Sequence, residues 1–316
     1  MAWKERELDR STWVGFLGVG AMGGPMAANI LKSGFSLDIY DPNAEAATAM
    51  GELGANICSS PRMVGSRSEV VLSMLPDSAA LAASVLGRDG LAEGLSPGST
   101  LVEMSTTDID IVIRIDEALS AKKCAILDAP VSGTPDMVAG RDLTMMVGGD
   151  MATYRRLSSL LQALAKNIFH VGGVGAGRVC KFTNNMLVTM NLLSTMEIFA
   201  WAEKMEVNLE ALFEVIRHSM GSSRIFEYHV PYMLQGDKTY QKRHIWLHKD
   251  LHLLLESADN KQVALPLTSQ AGQVLAAARS LSGGQENMES ILEYFKGVSG
   301  LGTGEKNPDT PGREAK

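Results

Sequence analysis

Over the first half of the chain the apolar pattern changes period again and again. Short runs rich in β-branched and apolar residues lie at positions 14–18, 36–40, 70–75, 100–105, 125–130, 144–147 and 168–171. Helical stretches at 22–32, 77–86, 108–122 and 151–166 alternate with them. Two parallel strands need a crossover of about a dozen residues or more, and a helix of this length is the usual one. The alternation therefore predicts βαβ units on a parallel sheet covered by helices. Boundary chemistry agrees: Ser60-Pro61 reads as an N-cap followed by a first-turn proline, Asp150 as an N-cap, and Gly34 as the glycine just past a helix end. After Gly172-Gly173-Val174-Gly175-Ala176-Gly177 strand-like runs cease, and helical patterns follow at 179–205, 209–219, 244–259, 267–279 and 288–295. The expected organisation is an N-terminal extension over 1–12, an α/β domain over 13–174, an all-helical domain over 175–299, and a Gly/Pro/charge-rich flexible tail over 300–316.

The first strand runs directly into Gly18-Val19-Gly20-Ala21-Met22-Gly23, a G-x-G-x-x-G followed by a helix. A dinucleotide site needs glycine at the tight turn, glycine where backbone approaches pyrophosphate, and glycine where helix meets strand. The helix N-terminus then offers unpaired N–H groups and a positive dipole end to the phosphates. The run at 36–40 ends in Asp41, 41 − 23 = 18 positions past the last glycine, near the roughly 20 that the fingerprint expects. A carboxylate there accepts the ribose hydroxyls of NAD and repels the 2′-phosphate of NADP. The plain alternative is a turn-forming Asp before Pro42. No arginine follows to clamp a phosphate, so NAD is the expected cofactor, with NADP the alternative.

The run Gly15-Phe16-Leu17-Gly18-Val19-Gly20-Ala21-Met22-Gly23-Gly24-Pro25-Met26-Ala27-Ala28-Asn29 resembles the N-terminal signature of the β-hydroxyacid dehydrogenase family. Three further segments match in the same order: Asp128-Ala129-Pro130-Val131-Ser132-Gly133, then Gly175-Ala176-Gly177 through Lys181 with Asn184 and Asn185, then His248-Lys249-Asp250-Leu251. The resemblance covers residues 13 to 298. It implies an α/β Rossmann-type dinucleotide-binding domain followed by an all-α C-terminal domain, the two joined by a long helix within 179–205. It also implies a homo-oligomer, dimer or tetramer, and a reaction that interconverts a small β- or γ-hydroxy acid and its semialdehyde.

Such a reaction moves a hydride and a hydroxyl proton, and Lys181 matches the family's catalytic lysine, the general acid/base. A partly desolvated lysine has its pKa drawn towards neutrality, which suits it to that work. Lys181, Asn184 and Asn185 lie at i, i+3 and i+4, on one helical face, and Asn185 is expected to orient the substrate or the lysine. Ser132 and Gly133 match the substrate loop and are expected to hold the carboxylate. Here the chain departs from the family: the usual Ser-Gly-Gly is Ser132-Gly133-Thr134 followed by Pro135, and the usual Gly-Thr-Leu-Thr is Gly140-Arg141-Asp142-Leu143-Thr144. Thr134 narrows the loop and adds a hydroxyl, which changes the shape of the substrate it accepts. By the same resemblance Met74, Leu75, Pro76 and Thr106 line the cofactor at the carboxyl edge of the sheet. Lys249 matches a lysine near the nicotinamide, with Asp250 its expected partner.

Other classes are excluded or disfavoured. The formal charge of −7 lacks the basic footprint of a nucleic-acid binder. Cys58, Cys124 and Cys180 have neither disulfide-framework nor metal-ligand spacing. Residues 1–10 are charged and lack a signal peptide's apolar stretch, and the apolar segment 186–201 is interrupted by Thr189, Asn191, Ser194, Thr195 and Glu197, so no membrane span and a cytoplasmic location are expected. His244, His248 and His252 fall at i, i+4 and i+8, but the one nearby carboxylate, Asp250, lies off that face and no cysteine completes a ligand set, so no metal is expected. Arg217, Arg224 and Arg243 are candidates for a second anionic group on the substrate. The competing functions are an NADP-preferring reductase of a short semialdehyde, against which Asp41 speaks, and a non-catalytic nucleotide-binding adaptor, against which Lys181 speaks.

Overall fold

The computed structural model describes residues 8–237, 239 and 247–301. Within them the chain divides into two compact units, Met1–Thr183 and Asn184–Lys316. The first unit is built on a nine-stranded sheet of β1 (Trp13–Leu17), β2 (Ser36–Tyr40), β3 (Asn56–Ile57), β4 (Val70–Ser73), β5 (Thr100–Glu103), β6 (Ala125–Asp128), β7 (Val131–Ser132), β8 (Thr144–Gly149) and β9 (Asn167–Gly172). Its order is β3-β2-β1-β4-β5-β6-β8-β7, with β9 beside β8. Strands β1 to β6 are mutually parallel. The chain therefore reverses its direction of travel across the sheet between β3 and β4, which puts a topological switch point at the carboxyl ends of β1 and β4.

The sheet is covered on both faces, and side-chain alternation assigns each residue to one of them. Phe16, Val70, Leu72, Val102 and Leu127 pack with Met26 and Ile30 of the helix Gly23–Lys32. Leu17, Val71, Leu101 and Ile126 pack on the other face with Leu81, Ile111 and Ile115 of the helices Ser78–Leu86 and Ile109–Ala121. Burial on both faces is why these strands read as continuous apolar runs.

The all-parallel expectation needs one revision. Strand β8 pairs antiparallel with both β6 and β7. β6 and β7 run in the same direction and keep one register against β8, from Leu127 opposite Gly149 to Ser132 opposite Thr144, and the chain turns back into β8 over residues 133–143. The single helix expected over 151–166 is two, Met151–Arg156 and Ser158–Gln162, broken at Leu157 (φ −92°, ψ 3°). The extension over 1–12 is in part docked: Leu8 is buried and donates its N–H to the Arg156 carbonyl at 3.2 Å.

The second unit is helical. The long helix Ala176–Lys204 starts within the first unit and continues into the second, where Leu209–Arg217, Arg224–Leu234, Leu247–Asn260, Pro266–Leu281 and Met288–Val298 follow. Asn208, Ser223 and Asn287 cap three of these through side-chain oxygens. Leu192, Met196, Leu251, Leu275, Ile291 and Phe295 form the core. The helix Arg224–Leu234, which is not among the periodic segments above, carries an internal proline, Pro231, a residue that ordinarily argues against a helix. Among the described residues no helix is long and apolar enough to cross a membrane.

Burial pushes His229, on that helix, down to about 4 from 6.5. The folded chain thus carries it neutral, while the unfolded chain protonates it below about 6.5. Its contribution is fully present above that pH and is lost as pH falls towards 4, about 3 kcal/mol in all. In H229Q the loss of urea stability between pH 6.5 and 4.5 is expected to be shallower than in the wild type by about 2 kcal/mol. Equal pH slopes for the two chains would refute it.

Candidate functional site

The glycine loop sits at the switch point, and each glycine has its own steric reason. Gly18 adopts φ +83°, and a Cβ there would lie 2.4 Å from the Met74 carbonyl oxygen. Gly23 is closer still: its Cβ would stand 1.9 Å from the Gly18 carbonyl oxygen. Gly20 is exposed, and a Cβ on it would meet nothing within 4 Å. Two glycines thus let backbone meet backbone, whereas the third faces open space at the tip. Ala21 is exposed beside it, and Met22, at the N-cap of the helix Gly23–Lys32, provides no side-chain cap. A glycine tip open to the outside, followed by an uncapped helix N-terminus, fits the pyrophosphate of a dinucleotide.

Asp41 closes this loop from the end of β2. Its Oδ2 accepts the Val19 N–H at 2.7 Å and its Oδ1 accepts the Asn43 N–H at 2.8 Å. The second bond is the turn expected before Pro42; the first ties the carboxylate to the glycine loop. Each oxygen keeps a further lone pair for a ribose hydroxyl.

Met74, Leu75 and Pro76 leave β4 beside Gly18, and Thr106 stands half-buried past the end of β5. The two segments are joined, since Leu75 donates its N–H to Ser105 Oγ at 2.7 Å. The loop expected to hold the substrate follows β7. Gly133 adopts φ +147°, a backbone conformation that favours glycine, and a Cβ there would also press on Leu143 Cδ2 at 2.3 Å. Thr134 is the N-cap of the short helix Pro135–Val138 without making a capping bond, and among the described residues its buried Oγ1 has no hydrogen-bond partner. The buried Asn29 amide donates to the Val138 carbonyl at 2.8 Å, so the coenzyme helix holds the substrate-loop helix in place.

Lys181 is 8% exposed, near the start of the long helix. The turn before it is anchored by a cluster the sequence reading did not anticipate. Arg178 is fully buried and forks between Glu103, the last residue of β5, and Asp128, the last of β6. It also donates to Thr107 Oγ1 at 3.1 Å and to the Glu103 carbonyl at 3.3 Å. Burial opposes its charge, but the Glu103 and Asp128 carboxylates outweigh that and hold the guanidinium more firmly protonated than usual. Asp128 Oδ2 accepts the Arg178 N–H at 3.0 Å, and Glu103 accepts the Ser105 N–H at 2.9 Å. A Cβ on Gly177 would lie 2.4 Å from the Asp128 carbonyl oxygen, so the helix starts directly against the sheet edge.

In the second unit Asn185 donates to Asp250 Oδ2 at 2.6 Å, bringing the helices of Asn185 and Lys249 together through the neighbour of Lys249. Arg217 is paired with Glu214 at 3.1 Å, and Arg224 is exposed at the start of its helix. His248 lies 3.9 Å from Glu286; His244 and Arg243 fall outside the described residues.

Comparison with known proteins agrees with this geometry. Residues 13–172 match the NAD binding domain of 6-phosphogluconate dehydrogenase, and residues 175–295 match the NAD-binding domain of NADP-dependent 3-hydroxyisobutyrate dehydrogenase. The chain is 30% identical to the 2-(hydroxymethyl)glutarate dehydrogenase of Eubacterium barkeri, over 93% of this chain and 98% of that one. It is 33% identical to the NAD-dependent L-serine dehydrogenase of Pseudomonas aeruginosa, over 82% and 89%. The solved 3-hydroxyisobutyrate dehydrogenase of Mycobacterium tuberculosis, described with L-serine, superposes with a TM-score of 0.82 at 26% identity, over 90% of this chain and 98% of that one. The dinucleotide loop at the switch point, the helical second unit on its long helix and these matches together place the chain in the β-hydroxyacid dehydrogenase family, NAD(P)-dependent oxidoreductases acting on the hydroxyl group of hydroxy acids.

Proposed function

We propose that the chain oxidises a small β- or γ-hydroxy acid reversibly to its semialdehyde, with NAD as the preferred coenzyme and Lys181 as the general acid/base. The observation that carries this reading is the buried lysine on a helix turn anchored to the carboxyl ends of β5 and β6, in the same unit as the glycine loop and the substrate loop. Bound nicotinamide supplies the hydride acceptor in oxidation and the donor in reduction. Lys181 removes the hydroxyl proton in one direction and returns it to the developing alkoxide in the other. Ser132, through its hydroxyl, and Gly133, through its N–H, hold the carboxylate. Thr134 adds bulk and a hydroxyl where the family has glycine, which favours a substrate with a polar group on that side. Asn185, held by Asp250, orients the substrate. Gly18, Gly20, Ala21, Met22 and Gly23 hold the pyrophosphate, while Met74, Leu75, Pro76, Thr106 and Lys249 line the rest of the coenzyme.

A homo-oligomer in the cytoplasm completes the proposal. Ile198, Trp201 and Met205 lie at helical spacing on the long helix and are 47%, 59% and 59% exposed, an apolar stripe suited to a second copy of the chain.

The test is a panel of 3-hydroxyisobutyrate, L-serine, 4-hydroxybutyrate and 2-(hydroxymethyl)glutarate with NAD or NADP, followed by absorbance of the reduced nicotinamide. Turnover of at least one acid is expected; silence with all four and both coenzymes would reject the reading. Asp41 sets the coenzyme arm. D41A is expected to raise the NADP-to-NAD ratio of kcat/KM about 10-fold, the equivalent of about 1.4 kcal/mol. An unchanged ratio would show that Asp41 acts only as the turn before Asn43.

A further inference from the structure

Arg178 is a costly residue to bury. It lies completely inside the first unit, between two carboxylates that are themselves completely buried, and its Nε has no partner among the described residues. A helix turn can be packed against a sheet with apolar side chains, and replacing such a charged cluster by apolar groups is often neutral or stabilising. What a forked guanidinium adds is direction: planar hydrogen bonds at two ends fix a position in a way that apolar packing does not.

The partners of this fork are the segments that frame the reaction. Glu103 ends β5 and, by accepting the Ser105 N–H, sets the backbone just before Thr106. Ser105 in turn accepts the Leu75 N–H, which includes the end of β4 in the same network. Asp128 ends β6, four residues before Ser132, and accepts the Arg178 N–H as well as its guanidinium. Lys181 follows Arg178 by one helical turn.

We propose that Arg178 is a positioning residue for proton transfer: its fork between Glu103 and Asp128 sets the height and rotation of the helix turn that carries Lys181 against the strand ends that carry Thr106 and Ser132. The proposal rests on the reading of Lys181 as general acid/base. It assigns the cluster a role in turnover, over and above its role in holding the first unit together. A displacement of about an ångström between reacting groups can lower a rate by about 100-fold while leaving binding in place.

The experiment uses the full chain, NAD, and the acid turned over best in the panel above. The variant R178M/E103Q/D128N removes all three charges at near-equal volume and keeps amide oxygens for the Ser105 and Arg178 N–H groups, so it is designed to fold. Its kcat is expected to fall about 10- to 100-fold. NAD affinity, read from fluorescence titration of the coenzyme, is expected to stay within about threefold, and the solvent deuterium isotope effect on kcat to rise as proton transfer becomes limiting. R178K, which keeps the charge without the fork, is expected to recover part of the rate and serves as the test if the triple variant does not fold. Wild-type kcat in either soluble variant would overturn the proposal. So would a loss of kcat matched by an equal loss of NAD affinity with no rise in the isotope effect, since that is the signature of general structural damage. K181A separates the two ideas. If K181A turns over like the wild type, the acid/base reading fails. If K181A is inactive while the Arg178 variants are fully active, only the positioning role fails.

Discussion

K181A is expected to lower kcat by two to four orders of magnitude, the usual contribution of a positioned general acid or base, about 3–5 kcal/mol of transition-state stabilisation. Two observations set the direction. Lys181 is buried near the start of the long helix, in a turn that the Arg178 cluster anchors to the sheet edge. The coenzyme loop depends on other contacts: Gly18 on Met74, Gly23 on Gly18, and Val19 on Asp41. NAD affinity is therefore expected to survive the substitution within a few-fold. Steady-state turnover together with coenzyme titration checks both halves. A wild-type kcat would remove Lys181 from the mechanism, and a parallel collapse of NAD binding would make its role structural.

The second large effect separates two glycines of one motif. A methyl group at Gly20 meets no protein atom, so G20A is expected to melt within about 0.5 kcal/mol of the wild type. On the proposed coenzyme mode it occupies the open tip that faces pyrophosphate, and NAD affinity is expected to fall 10-fold or more, about 1.4 kcal/mol per factor of ten. At Gly23 the added carbon would stand 1.9 Å from the Gly18 carbonyl oxygen, both partners being backbone. G23A must displace the helix or the loop, at about 1–3 kcal/mol or more, and loses stability and coenzyme binding together. Thermal melts with and without NAD, beside the coenzyme titration, distinguish the two. G23A with wild-type stability and affinity would refute the steric account.

The outcome at these glycines also shows where sequence reasoning reaches and where it stops. G-x-G-x-x-G between a strand and a helix named Gly18, Gly20 and Gly23 as one functional group, because the motif is local and its spacing is read along the chain. Which of them guards the fold and which faces the ligand depends on Met74, 56 positions past Gly18, and on the return of Gly23 to Gly18 across the turn. The substrate loop behaves in the same way. Ser132-Gly133-Thr134 stood out from neighbouring residues, but the anchor that Asn29 provides for it comes from the coenzyme helix, 109 positions from Val138.

The cluster that holds the Lys181 turn was illegible for a plainer reason. Glu103 and Asp128 each end an apolar run, where a charged residue reads as a strand exit, and Arg178 in a helix reads as a solvated side chain. The three are 50 and 75 positions apart along the chain, counted from Arg178. Only adjacent placement of β5 and β6 sets both carboxylates side by side, and only the close start of the long helix at Gly177 delivers the guanidinium between them.

By itself the sequence determined the class of fold, the coenzyme loop, the candidate lysine and the change from α/β to helical structure. The candidate lysine came from the resemblance to the family; the others are written in local periodicity or short-range spacing, and such signals survive without knowledge of the partner. Tertiary structure decided the antiparallel return of β8, the two-residue strand β3, the persistence of a helix through Pro231, and the buried charge cluster beside Lys181. Those features depend on contacts between segments far apart in the chain. Their energies come from burial and from paired charges, which no local pattern encodes.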